Sequence, residues 1–108
     1  MKTIQNLLDT GHRVWFYLRD KETEKLFVKE LTAMGATYLN GDLITEENCS
    51  PIMAVHADQK VAHVAIFIWN ASFQGAQLSD KPIKVDYAKY IAGDEDWECK
   101  RSDFIRIS

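Results

Sequence analysis

The apolar and polar residues at the start of the chain follow first a helical and then a strand-like period. Apolar side chains at helical spacing predict a short helix over residues 4–10, with Thr3 as its cap and Gly11 as its stop signal. Residues 12–19 then alternate strictly. Val14, Phe16 and Leu18 lie on one face of this segment, and the residues between them lie on the other. This period of two predicts a strand that buries one of its faces.

The next segment has the strongest helical pattern in the chain. Asp20 is a suitable N-cap, apolar residues recur at helical spacing through residues 21–34, and Gly35 is a typical C-terminal stop. Further along, Asn40-Gly41 predicts a type I′ turn, because both residue types tolerate a positive φ.

The most apolar stretch is residues 51–73, interrupted by a polar break at residues 57–60. We interpret it as a β-hairpin. Its second strand, Val61 to Trp69, is apolar at almost every position, which predicts a central strand that is covered on both faces.

The last third of the chain predicts shorter elements. Residues 82–85 suit an edge strand that begins at a proline. Asp86 then caps a helix over residues 87–92, Gly93 ends it, and residues 103–107 predict a final short strand.

These elements predict an α+β fold and a single globular domain over residues 1–108. We expect a mostly antiparallel twisted sheet of about five strands, with the helix over residues 21–34 packed on it. Short helices near residues 4–10 and 87–92 complete the prediction.

Composition limits the classes of function. A net charge of −3 argues against an extended phosphate-binding surface, so nucleic acid or a nucleotide is the less favoured partner. The apolar runs are too short for a membrane span, and the N-terminus lacks a signal-peptide pattern, so we expect a cytoplasmic protein. Its two cysteines are then free thiols.

The outward face of the first strand is the leading candidate for a binding surface. Arg13, Trp15, Tyr17 and Arg19 interleave aromatic rings with arginines, a composition that is enriched in protein-binding hot spots. The alternative is that another helix, or the C-terminal tail, covers this face.

An acidic stretch with one tryptophan, Asp94, Glu95, Asp96 and Trp97, is a second candidate for partner binding. It could equally pair with the two arginines of the first strand or form a solvated turn. It does not match the ligand spacing of a calcium-binding loop.

A histidine pair in the hairpin is the alternative site. If the loop has two or four residues, His56 and His63 share one face, and with Trp69 nearby they could bind a small ligand or nucleotide. A three-residue loop puts them on opposite faces. Because no close pair of ligands accompanies them, we predict no metal.

We found no phosphate-binding loop, nucleophile elbow or zinc-protease motif, so we predict no catalytic residues and no cofactor. The sequence favours a small non-catalytic interaction or regulatory protein that binds a protein partner, a class that includes inhibitors encoded by mobile elements. The alternative function is a small-ligand or nucleotide binder, or an enzyme, that uses the two histidines.

Overall fold

The computed structural model describes residues 3–73 and 82–100 of the chain. Four helices and five strands occur in these residues. In chain order they are α1 (Ile4–Leu8), β1 (Val14–Tyr17), α2 (Lys21–Met34), β2 (Thr37–Tyr38), β3 (Ile52–Val55), β4 (Lys60–His63), α3 (Ile66–Ala71), β5 (Ile83–Asp86) and α4 (Tyr87–Ala92).

The five strands form one sheet in the order β2-β4-β3-β1-β5, which confirms the predicted α+β class. The sheet is mixed rather than mostly antiparallel. Strand β3 is antiparallel to both of its neighbours, whereas β1 pairs with β5, and β2 with β4, in parallel. The carboxyl ends of β1, β2, β4 and β5 therefore lie at the same end of the sheet.

Local capping explains why the predicted helices form where they do. The Asp20 side chain accepts a hydrogen bond from the N–H of Thr23, and Gly35 ends α2 in the left-handed region with a φ of 78°. Helix α4 has the same design, because Asp86 caps it and Gly93 ends it. The first helix is confirmed but ends at Leu8.

The main core lies on one face of the sheet and is covered by α1, α2 and α4. Phe16 of β1 packs against Phe27 of α2 and Tyr87 of α4, with ring centroids 5.2 and 5.7 Å apart. All three side chains are buried. Three helices therefore contribute to this core, with α2 as the longest.

The second face of the sheet carries one helix, α3, and this corrects the prediction of a strand over Val61–Trp69. Strand β4 ends at His63, and α3 begins three residues later. A short apolar run fits a strand or a buried helix equally well, and Trp69 is fully buried here as part of a helix. The central strand is instead β3, in which all four residues are buried.

Both edges of the sheet are bonded to backbone from the same chain. Strand β5 is an edge strand, as predicted, and its outer side receives the segment that follows α4, with hydrogen bonds Asp86 N to Trp97 O and Cys99 N to Lys84 O, both 2.8 Å. At the other edge, Tyr38 N donates to Asp42 O at 2.9 Å.

The turn after β2 differs from the type I′ turn that Asn40-Gly41 predicts. Gly41 has a φ of 91°, but among the described residues Gln59 is the one non-glycine with a positive φ, so Asn40 does not meet the type I′ requirement. Hydrogen bonds from Gly41 N to Tyr38 O and from Tyr38 N to Asp42 O close a three-residue connection instead.

The predicted strand over residues 103–107 lies outside the described residues. Within the described part of the chain, no helix has the length and apolar character needed to cross a bilayer.

Candidate functional site

The outward face of β1 lies beneath α3. Trp15 stacks on Trp69 with ring centroids 6.4 Å apart and an interplanar angle of 27°, and Tyr17 tilts against the same indole at 6.4 Å. Phe73 closes the cluster at 5.5 Å from Trp69. Trp15 and Tyr17 are consequently half-buried rather than fully covered.

The two arginines of this face differ in their surroundings. Arg13 is half-buried, whereas Arg19 is exposed and directs one guanidinium nitrogen to both carboxylate oxygens of Asp86, at 3.2 and 3.3 Å. Asp86 itself is buried. Arg19 thus neutralises a buried carboxylate that also caps α4.

The acidic stretch follows α4 and borders the same ion pair. Asp94, Glu95 and Asp96 are exposed. Lys89 Nζ lies 3.1 Å from Asp96, and this hydrogen bond lowers the pKa of the Asp96 carboxyl. Trp97 packs edge-on against Tyr90 at 5.2 Å.

The structure therefore brings the end of β1 and the acidic stretch together around Asp86. Arg19 reaches this carboxylate by its side chain, and Trp97 O accepts the hydrogen bond of Asp86 N. The role of these residues in partner binding stays a prediction.

The two histidines lie on opposite faces of the sheet. Val55 pairs with Val61 and Met53 with His63, so the hairpin loop has three residues, the alternative that separates the side chains. Gln59 adopts a φ of 65°, and its N–H donates to His56 O at 2.8 Å. The loop geometry thus explains why the pair does not form.

His63 belongs to a polar network that holds the segment after β2. Its Nε2 lies 2.7 Å from Asn48 O, and because a carbonyl only accepts, Nε2 carries a proton in this arrangement. The Tyr38 hydroxyl also donates to Asn48 O, and burial raises its pKa to about 12. These contacts give His63 a structural role.

His56 and Trp69 occupy the other face, and they do not form a pocket with His63. His56 is half-buried near the hairpin loop, whereas Trp69 is fully buried within the α3 cluster. Among the described residues, one cavity of about 440 Å³ lies between α2 and α4 and another of about 330 Å³ lies beside β5, and neither His56 nor His63 lines either of them.

The thiols are poor nucleophiles. Burial raises the pKa of both Cys49 and Cys99 to about 12, so both stay protonated near neutral pH. In the described ranges, no group of three or more His, Cys, Asp or Glu side chains could hold a metal ion.

One surface was not among the sites predicted from the sequence. Among the described residues, six large apolar side chains are exposed. Four of them belong to the segments that follow β2 and β4: Leu39 (74%), Leu43 (70%), Phe67 (73%) and Ile68 (44%). Because β2 and β4 are parallel, these segments leave the sheet at the same end. We call these four residues the apolar end surface.

A signal for this surface exists in the sequence, although it is weak. The strand prediction over Val61–Trp69 implied that Phe67 and Ile68 are buried. The spacing of Ile66, Trp69 and Phe73 fits one face of a helix, and it leaves Phe67 and Ile68 on the outer side. Interpretation of this segment as a helix therefore predicts that Phe67 and Ile68 are exposed.

Comparison with known proteins found no matching family model, no matching curated protein and no matching solved structure.

Proposed function

We propose that this protein acts by binding a protein partner and that it uses the apolar end surface to do so. The observation that carries the proposal is the exposure of Leu39, Leu43, Phe67 and Ile68, which belong to the segments that follow the parallel strands β2 and β4. Single exposed apolar residues are ordinary, but grouped ones are typical of interaction sites.

The contrast with the protein's own cores supports this proposal. Helix α3 buries Trp69 against β1 while it exposes Phe67, a side chain of similar character, to solvent. The two segments that carry these residues follow β2 and β4 in the chain, so each is joined to the sheet where it begins.

The supporting evidence for catalysis is weaker. Both thiols have a raised pKa, and the hairpin register puts His56 and His63 on opposite faces of the sheet, which favours binding of a protein partner over a ligand site shared by the two histidines. A cytoplasmic location is part of the proposal, because both cysteines are free and reduced thiols are typical of that compartment. Inhibition of a host protein is a narrower form of the same function.

A photo-crosslinking experiment tests the proposal. A benzophenone amino acid is placed at position 67 of the full chain, and a second protein carries it at position 91, where Ile91 is exposed on the opposite helical layer. After irradiation in a lysate of the source cells, we expect a discrete product from position 67 and a much weaker one from position 91.

A second arm links the product to the surface. The exchange Leu39→Ser in the position-67 protein should lower the yield about tenfold, as expected for loss of a central apolar contact. Leu26→Ser, at a side chain exposed to 42% on α2, is the matched control and should leave the yield unchanged. Equal yields from positions 67 and 91, or equal effects of the two exchanges, would contradict the proposal.

A further inference from the structure

We infer that the apolar end surface receives a basic, amphipathic segment of the partner, in which lysine or arginine alternates with apolar side chains. This inference rests on the proposed function. It follows from the charges around Leu39 and Leu43, both of which are more than two-thirds exposed.

Three exposed carboxylates lie close to the two leucines in the chain. Asp42 lies between them in the chain, and Glu46 and Glu47 follow within the same turn-rich segment, all three exposed. Asp42 accepts a hydrogen bond from the neutral amide of Asn40 at 3.0 Å. In the part of the chain that the structure describes, Glu46 and Glu47 form no ion pair.

The chain provides few cations to offset these charges. From Glu30 to Gln59 the sequence contains no lysine or arginine. Lys60, the first one after this stretch, directs its Nζ to Thr37 Oγ1 at 3.2 Å. Lys21 of α2 lies 3.6 Å from the buried carboxylate of Glu24. The three carboxylates outnumber this one lysine, Lys60, so the surface combines apolar contact area with a net negative charge.

This combination discriminates between occupants. A second copy of the chain, docked about a twofold axis, would bring Asp42, Glu46 and Glu47 against their own equivalents, and like charges oppose such a contact. Anionic lipid surfaces and nucleic acids are repelled for the same reason. A basic segment gains both apolar burial and electrostatic steering.

Selection from a random peptide-display library tests the inference without assuming a partner. The full chain is the bait, and Glu46→Gln/Glu47→Gln removes two charges from the surface. Asp9→Asn/Asp58→Asn removes two exposed charges from the opposite end of the sheet and is the matched control. Asp42 is left in place because it holds the turn.

We expect peptides selected by the unmodified protein to combine apolar residues with an excess of lysine and arginine. The excess should disappear with the Glu46/Glu47 variant and persist with the control. For one selected peptide, the Glu46/Glu47 exchange should weaken binding about fivefold at low salt, and much less at high salt where exposed charges are screened.

The outcomes separate the two claims. One outcome is that the selected peptides are apolar without a basic excess and lose binding to the Phe67→Ser protein. This would overturn the inference of a basic partner but would support the apolar end surface as the docking site. If both charge variants lost the basic excess equally, the inference of a basic partner would also be overturned, because the net charge of the protein alone would explain the selection. Selection that Phe67→Ser and Leu39→Ser leave unchanged would overturn the proposed function itself.

Discussion

The hydroxyl of Tyr87 donates a hydrogen bond of 2.5 Å to Glu30 Oε1. The other carboxylate oxygen, Oε2, accepts the N–H of Ile4 at 2.7 Å. One side chain of α2 therefore connects the first turn of α1 to the first turn of α4, and the three helices that cover the main core share it.

Replacement of this carboxylate should destabilise the protein. Glu30→Gln keeps the shape but turns one acceptor into a donor, so one of the two hydrogen bonds is lost or reversed. We expect the free energy of unfolding to fall by about 1–3 kcal/mol in urea titrations. Tyr87→Phe removes one bond only and should cost about 1 kcal/mol. A Glu30→Gln protein as stable as the original would contradict this role.

Stability should decline in alkali. Burial, followed by the hydrogen bond to Glu30, raises the pKa of Tyr87, and burial raises that of Tyr38 to about 12. A raised phenol pKa favours the protonated, folded form, so its stabilising effect is complete below the unfolded pKa of about 10 and is lost as the pH rises further.

Urea midpoints measured from pH 8 to 11.5 test this prediction. The midpoint should be nearly level at first and then fall. Phenolate absorbance should appear together with unfolding rather than before it. In the Tyr87→Phe protein the alkaline decline should be shallower, and an identical decline would show that Tyr87 does not contribute.

The two thiols should react slowly in the native protein. Because burial raises the pKa of Cys49 and Cys99 to about 12, the thiolate that attacks a disulfide reagent is scarce at pH 8. We expect labelling by a disulfide reagent to be at least about a hundredfold slower than in guanidinium chloride. Rapid labelling of both residues at native conditions would be incompatible with this environment.

Two substitutions at residues with a positive φ should change the stability of the protein in opposite directions. Gln59 has a φ of 65°, which glycine adopts more easily, so Gln59→Gly should stabilise the protein by about 0.5 kcal/mol. Gly35 has a φ of 78° and open space around an added Cβ, so Gly35→Ala should cost about 1 kcal/mol through backbone strain alone. Denaturant midpoints measure both, and changes of the same sign would refute the argument.

Residues with local signals were the predictable part of the fold. The alternation of β1, the Asp20 and Asp86 caps and the glycine stops depend on neighbouring residues, so α2 and α4 begin and end where the sequence predicts. The parallel pairs depend on contacts between distant segments, such as Val14 with Ile83, for which the local pattern contains no information.

The candidate site was less predictable because exposure depends on tertiary packing. Trp15 and Tyr17 have the composition of a binding surface, yet whether α3 covers them depends on where β4 ends. The separation of His56 from His63 likewise depends on one residue in the hairpin loop. The apolar end surface emerges only when α3 is recognised as a helix.

The bonded edges of the sheet limit how any partner can attach. The backbone of the 97–99 segment occupies the outer side of β5, and Asp42 occupies that of β2. A foreign strand has no free ladder to extend at these positions, so recognition by β-augmentation is disfavoured and self-templated fibril growth is opposed. Selectivity for a partner must then come from side-chain shape and charge.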